Sequence, residues 1–189
     1  RNELFQNFVK TCSELVLSSK NDIDALQNLP FPNANRSVNE ELINNIATIG
    51  ENMNIRRAEY LEVSNGVIIS YVHNSVAEGL GRLGVLVALE TGIQNNNIKE
   101  IGKQIAMHIA ATSPKSLNID DLDPEVVDRE RQVLIDQAMS SGKPKEIAEK
   151  MVQGRMHKFF QEVVLNEQVS VIDGETKIKD LIKRTSLEL

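Results

Sequence analysis

The chain has 189 residues, 41% of them hydrophobic and 25% charged, which suits one ordinary globular domain or two small ones sharing a core. Its 21 basic and 27 acidic residues give a net charge of −6, and aromatic residues make up only 4%. The charge has the wrong sign for a phosphate backbone and the rings are too few for base stacking. Composition therefore argues against direct binding of nucleic acid.

Cysteine content and hydropathy restrict the cellular compartment in which the protein is expected. The single cysteine, Cys12, excludes an intrachain disulfide and a metal site with several thiolates, which predicts a reducing, cytoplasmic compartment. No run approaches 18 apolar residues, so the sequence predicts no membrane-spanning helix.

The first elements are predicted to be helices. Apolar residues recur at three- and four-residue steps, which predicts an amphipathic helix over residues 2–18 with Cys12 as a small buried hydrophobe. Residues 28–37 contain two prolines and predict an irregular connection. Ser37, followed three residues later by a glutamate, has the spacing of a capping box and predicts a helix that Gly50 ends.

The middle of the chain is predicted to be extended. Residues 55–63, 67–72 and 82–89 predict three short strands, the last two paired antiparallel across a loop over residues 74–81. The glycines of residues 79–84 superficially resemble a phosphate-binding loop. No helix follows them directly and neither phosphate-loop pattern is satisfied, so a turn between strands is favoured.

Two helices joined by a short turn give the clearest local signal. Asp123 is a good N-cap and Pro124 suits the first position of a helix that continues to Gly142, and a second helix begins near Lys145. So short a joint requires an antiparallel hairpin. Gly154 in the second helix costs about 1 kcal/mol relative to Ala, and close approach of a neighbouring backbone would be one reason to tolerate it.

Further helices flank these segments. One carries apolar residues between Ile98 and Ile109 and stops at Pro114, and a last one carries Ile178 to Ile182. The order of helices, strands and helices predicts an α+β fold.

The sequence shows no catalytic or metal-binding constellation. His73, His108 and His157 belong to no recognised ligand motif, and the predicted burial of Cys12 argues against a nucleophile. His108 shares an apolar stripe with the isoleucines of its helix. Periodicity leaves two interpretations equally open. His108 either packs at the edge of the core or contacts a partner.

Five sequence blocks together resemble bacterial translation elongation factor Ts, over essentially the whole chain. They occur in the order and spacing of that family, and the last block is strong evidence by itself. The blocks are GENMNIRR (residues 50–57), SYVH (70–73), RLGVLV (82–87), KQIAMHIAA (103–111) and SGKPKEIAEKMVQGRMHKF (141–159).

The resemblance implies a guanine-nucleotide exchange factor for elongation factor Tu. Such a factor makes and breaks no bonds and needs no cofactor or metal. It disturbs the Mg²⁺ and phosphate site of the GTPase so that GDP leaves, and it must bind the nucleotide-free state better than the loaded one. The implied partner-facing residues are Leu83, Gly84 and His108, together with Val171 and Ile172 after the hairpin.

The resemblance also implies an architecture, a two-layer core of helices on short antiparallel sheets with an inserted helical hairpin, or coiled coil. The matching divides the chain into residues 1–63 (first half of the core, incomplete), 64–122 (second half, first part), 123–166 (hairpin) and 167–189 (second half, continued, incomplete). The hairpin is associated in the family with self-association, which implies a possible homodimer, or with partner contact.

Parts of the family pattern have no counterpart in this sequence. They include the N-terminal three-helix domain, the C-terminal strand and helix, and a Thr-Asp-Phe-Val motif that presses on the nucleotide and Mg²⁺ region. We therefore expect a fragment of a longer chain with reduced exchange activity. The alternative is a structural or interaction module that dimerises or binds elongation factor Tu without promoting exchange.

Overall fold

A computed structural model describes residues 2–92, 95–140, 142 and 144–187, and its elements fall into two compact units, Arg1–Glu90 and Thr91–Leu189. The described residues of the first unit form α1 (Glu3–Ser19), α2 (Ile23–Asn28), α3 (Val38–Ile49), β1 (Gly66–Ala77) and β2 (Leu80–Glu90). Those of the second form α4 (Asn96–Thr112), α5 (Pro124–Ser140), α6 (Lys145–Val163) and α7 (Ile178–Leu187), with short 3₁₀ turns at Ile119–Asp121 and Leu165–Glu167. The mixture of helices with an antiparallel sheet confirms the α+β fold class.

Helix α3 begins and ends on the predicted signals. The Ser37 side chain accepts from the backbone N–H of Glu40 at 3.2 Å, while the Glu40 carboxylate accepts from the N–H of Ser37 at 2.7 Å, which confirms the capping box. Gly50, at φ +79°, ends α3 in the left-handed conformation that glycine adopts without strain. The short helix α2, capped by the Asp22 side chain, was not predicted.

The core of the first unit is built by helices α1 and α3. Phe8 and Cys12 of α1 pack with Val38 and Leu42 of α3, and Phe31 stacks on Phe8 with 5.8 Å between ring centroids. Burial raises the pKa of the Cys12 thiol to about 11, which leaves it protonated and unreactive at neutral pH. The interpretation of Cys12 as a small buried hydrophobe is confirmed.

The predicted third strand at residues 55–63 is wrong. Within the described ranges the only ladder joins β1 to β2, and residues 55–63 run without strand pairing. The backbone N–H of Tyr60 donates instead to the Asn21 side chain at 2.6 Å, and the Lys20 ammonium lies 5.6 Å from the Tyr60 ring centroid. An alternating pattern forms a strand only where a neighbouring backbone can pair with it, and this segment is bonded to the corner between α1 and α2.

The two observed strands are longer, and their connection shorter, than the sequence predicts. Pairing runs from Gly66 opposite Glu90 to Ala77 opposite Leu80, which narrows the predicted loop at 74–81 to two residues. Gly79, at φ +72°, lies in that turn between strands, whereas residues 80–84 of the glycine-rich stretch belong to β2.

The predicted antiparallel hairpin is confirmed in the second unit. Helix α5 buries Leu134 and Ala138, helix α6 buries Ala148 and Met156, and the Arg155 guanidinium donates to the Gln137 side chain at 2.6 Å. Residues 137 and 155 are neighbours only if the helices run in opposite directions. Of the predicted joint Ser141-Gly142-Lys143-Pro144, Ser141 and Lys143 lie outside the described residues.

The base of this hairpin is closed by backbone hydrogen bonds. Lys115 donates to the carbonyl of Val163 at 2.7 Å, and Leu165 donates to the carbonyl of Ser116 at 2.9 Å. The bridge between Ser116 and Val164 is parallel. The hairpin therefore begins and ends at adjacent points of the second unit.

A compact ion-pair cluster joins the turn after α6 to the start of α7. The Glu167 carboxylate accepts from the ammonium groups of Lys177 at 2.8 Å and Lys179 at 2.6 Å. These two hydrogen bonds hold the pKa of Glu167 below its usual value.

Gly154 lies in α6 without the close neighbour that the sequence suggested. A Cβ atom built there would meet no atom of the described residues within 4 Å, so the explanation by backbone approach is wrong. We expect Gly154→Ala to raise the free energy of unfolding by up to about 1 kcal/mol in urea denaturation, because alanine costs less backbone entropy in a helix. The matched Gly50→Ala, at a positive φ, should lower it, and equal signs for the two changes would contradict this account.

Glu167 should make the second unit sensitive to acid. Because its pKa is lower in the folded chain than in the unfolded one, its contribution to stability is full above the unfolded value of about 4.3 and is lost as pH falls through the folded value. We expect Glu167→Gln to lower stability at neutral pH and to flatten the decline below about pH 4.5. Urea denaturation across pH measures this. Glu149→Gln, which removes an exposed pair at 3.9 Å, is the control and should change neither quantity measurably.

Candidate partner-contact site

Strand β2 places Leu83 and Gly84 on an exposed part of the sheet. In the ladder, Leu83 lies opposite His73 and Gly84 opposite Val72, and Leu83 is 36% exposed. A Cβ added at Gly84 would meet no described atom within 4 Å, so no packing within this unit requires glycine there. The absence of a side chain beside an exposed leucine leaves the strand open to close approach by another molecule.

The face that carries Leu83 also carries two polar rings. Tyr71 and His73 lie two residues apart on β1, and the Tyr71 hydroxyl is 2.9 Å from Nδ1 of His73. Residues two apart in a strand project to the same side, so both rings share the face of Leu83. The sequence analysis treated His73 as an isolated histidine, whereas the extended backbone of β1 brings the Tyr71 hydroxyl to it.

Val171 and Ile172 project from a tightly bonded turn in the second unit. Their exposed fractions are 50% and 51%, high for adjacent apolar residues. Around them, Ser170 donates its N–H to the carbonyl of Thr176 at 2.8 Å, and Gly174 donates to the carbonyl of Ser170 at 2.9 Å. The turn therefore holds two apolar side chains towards solvent.

Asp173 closes the same turn. Hydrogen bonds from the Thr176 side chain and from the backbone N–H groups of Glu175 and Thr176 lower the pKa of Asp173 to about 2. Its carboxylate thus stays ionised, and able to accept those bonds, at every pH at which the protein is expected to work.

His108 lies beneath this turn and is fully buried. Its Nε2 atom is 2.9 Å from Oε1 of Gln168, and its Nδ1 atom is 3.2 Å from the backbone nitrogen of Val171. In this chain the imidazole has the position of a packed core histidine. It is connected to the surface through its hydrogen bond with the backbone N–H of Val171, whose side chain is exposed.

The five sequence-predicted residues thus fall into two groups. His108, Val171 and Ile172 belong to the second unit, where the histidine bonds directly to the backbone of the exposed pair. Leu83 and Gly84 belong to the first unit. Sequence reasoning missed Gln168, which is 4% exposed and 60 residues from its histidine partner.

A separate apolar groove of about 680 Å³ follows the seam of the helical hairpin. Met139, which is 68% exposed, and Ile135 line it on α5, and Val152 and Phe160 line it on α6. Three charged residues, Arg131, Lys145 and Glu149, also line it. The groove is therefore a mainly apolar surface that includes a few charged side chains.

Neither a metal centre nor a membrane span is found in the part of the chain that the structure describes. No group of three or more His, Cys, Asp or Glu side chains there could hold a metal ion. None of the helices there is both long and apolar enough to cross a bilayer.

Comparison with known proteins decides the family. The sequence model of the family described as Elongation factor TS matches residues 1–189, the whole chain. The chain belongs to the elongation factor Ts family. Among the relatives, the Elongation factor Ts of Rhodospirillum centenum is 54% identical over 183 residues, which cover 97% of this chain and 60% of that protein. Those of Rhodospirillum rubrum and Gluconobacter oxydans are 50% and 48% identical, each covering 100% of this chain and 62% of the relative.

Membership of the elongation factor Ts family confirms the resemblance on which the site residues were chosen. The chain spans about three-fifths of the length of the relatives it matches. The division into residues 1–63, 64–122, 123–166 and 167–189 stays a prediction, as do the contact roles of the five residues.

Proposed function

We propose that this chain is a binding module for elongation factor Tu and takes part in guanine-nucleotide exchange on that GTPase. The observation that carries the proposal is the exposure of two apolar pairs, Leu83–Gly84 and Val171–Ile172, at the positions that the family resemblance implies for partner contact. Each pair is placed by rigid backbone, one by a sheet ladder and the other by a bonded turn.

Such a module works by differential affinity and without bond chemistry. A partner that binds the nucleotide-free GTPase more tightly than the GDP-bound form lowers the affinity of that GTPase for GDP by the same factor. Shape and apolar contact are sufficient for this task. We therefore propose that the protein is not an enzyme and needs no cofactor of its own.

The apolar groove of the hairpin supports a second role. A surface on which Met139 is 68% exposed suits self-association, and we propose a homodimer through the hairpin as the alternative function. In that case the chain would be a structural or interaction module that dimerises or binds elongation factor Tu without promoting exchange.

Binding through the turn is tested by placing a charge on it. We expect Ile172→Asp to weaken binding to nucleotide-free elongation factor Tu at least tenfold in calorimetric titration, because a carboxylate would be desolvated in an apolar contact. The matched control is Ile43→Asp on α3, since Ile43 is 58% exposed against 51% for Ile172. Equal affinities for both variants and the wild type would contradict a contact at Ile172.

Exchange itself is tested with elongation factor Tu loaded with fluorescent GDP. The sequence contains no Thr-Asp-Phe-Val stretch, the motif that the resemblance associates with the Mg²⁺ region. We therefore expect this chain to bind but to accelerate GDP release only weakly, as followed by stopped-flow fluorescence. Release at the full rate of an intact family member would contradict reduced activity, whereas a dimer in sedimentation with no binding would favour the alternative.

A further inference from the structure

Gln168 occupies a buried position between the hairpin and the exposed turn. It follows the 3₁₀ turn Leu165–Glu167 and is 4% exposed, which is unusual for a glutamine. Its side-chain nitrogen, Nε2, donates to the backbone carbonyl of Glu162 at 2.8 Å. Because a carbonyl can only accept, the orientation of the amide is fixed and Oε1 must face His108.

The surroundings of His108 determine which ring nitrogen carries the proton. The backbone N–H of Val171 can only donate, so Nδ1 of His108 must accept from it. Nε2 must then carry the proton and donate to Oε1 of Gln168. The opposite tautomer would point an N–H at the N–H of Val171 and leave two buried acceptors facing each other.

Thr112 adds to this arrangement from helix α4. Its hydroxyl is 2.9 Å from the carbonyl oxygen of His108 and 3.1 Å from Oε1 of Gln168. A hydroxyl has one proton and donates to one of these acceptors at a time. In either state the Gln168 oxygen remains an acceptor for the imidazole.

We propose that Gln168 is a positioning residue for partner binding. It selects the Nε2–H tautomer of His108, whose Nδ1 then holds the backbone of Val171 and so fixes the direction of the Val171 and Ile172 side chains. The effect on affinity rests on the proposed function, whereas the coupling from Gln168 through His108 to Val171 is a property of this chain alone.

Loss of the Gln168 side chain should lower the fraction of molecules in which the turn has the geometry that binds the partner. Without an acceptor for the Nε2–H group, the buried imidazole has an unpaired donor, which is energetically costly. Rotation or displacement of the ring relieves this cost and releases the N–H of Val171. If the released turn has the binding geometry for only about one-tenth of the time, the apparent dissociation constant rises about tenfold.

The test compares two glutamines that are each paired with a histidine. Gln168→Met removes the buried pair with little change of volume. Gln161→Met removes an exposed pair on α6, where Nε2 of Gln161 lies 3.2 Å from Nε2 of His157. Amide hydrogen exchange at Val171 is measured by NMR for each variant of the 189-residue chain. Affinity for nucleotide-free elongation factor Tu is measured by calorimetry. Circular dichroism confirms that each is folded.

We expect Gln168→Met to speed exchange at Val171 and to weaken binding, each about tenfold, and Gln161→Met to change neither. Unchanged exchange at Val171 in folded Gln168→Met would overturn the positioning role. Faster exchange with unchanged affinity would show that the turn does not contribute to binding, which also overturns it. If the wild type fails to bind, the proposed function fails, and the exchange measurement alone decides the coupling.

A second pair of variants applies if Gln168→Met does not fold. The oxygen of an asparagine can replace the acceptor Nδ1 of His108, and the longer amide of glutamine can replace Nε2. We expect His108→Asn to retain more protection at Val171 and several-fold tighter binding than His108→Gln. Equal losses in the two variants would overturn a role that acts through the backbone of Val171.

Discussion

A fully buried imidazole has to be satisfied at both ring nitrogens, and much of the second unit is arranged around that constraint. His108 obtains one partner from the side chain of Gln168 and the other from the backbone of Val171. Gln168 in turn bonds to the end of α6 through the carbonyl of Glu162. Two polar side chains, those of His108 and Gln168, thereby join helix α4, the end of the hairpin and the exposed turn, and each bond constrains the next.

Local signals predicted the helices well because their causes are local. The capping box at Ser37 and the left-handed glycine at Gly50 lie within a few residues of the structure they determine. The strand at residues 55–63 was wrongly predicted because a strand depends on a partner that its own residues cannot specify. Helix α2 is six residues long, too short for its periodicity to show in the sequence.

The site was predictable only in part, for the same reason. Family resemblance pointed to Leu83, Gly84, His108, Val171 and Ile172, and the exposure of the apolar pairs agrees with the roles proposed for them. The pairing of His108 with Gln168 spans 60 residues and a complete helical hairpin, so no periodicity could reveal it. Periodicity also placed His108 on an apolar face without showing that its polar atoms reach the backbone of Val171.

The closed base of the hairpin bears on how such a protein can change over evolution. Because Lys115 and Val163 are hydrogen-bonded to each other, the residues between them begin and end at one place on the second unit. A gene could lengthen or shorten α5 and α6 near their connecting turn, far from Glu162, by insertion or deletion without displacing the ends of the surrounding chain. The hairpin is thus a modular part of the second unit, whose surface can diverge while the residues around His108 keep their structure.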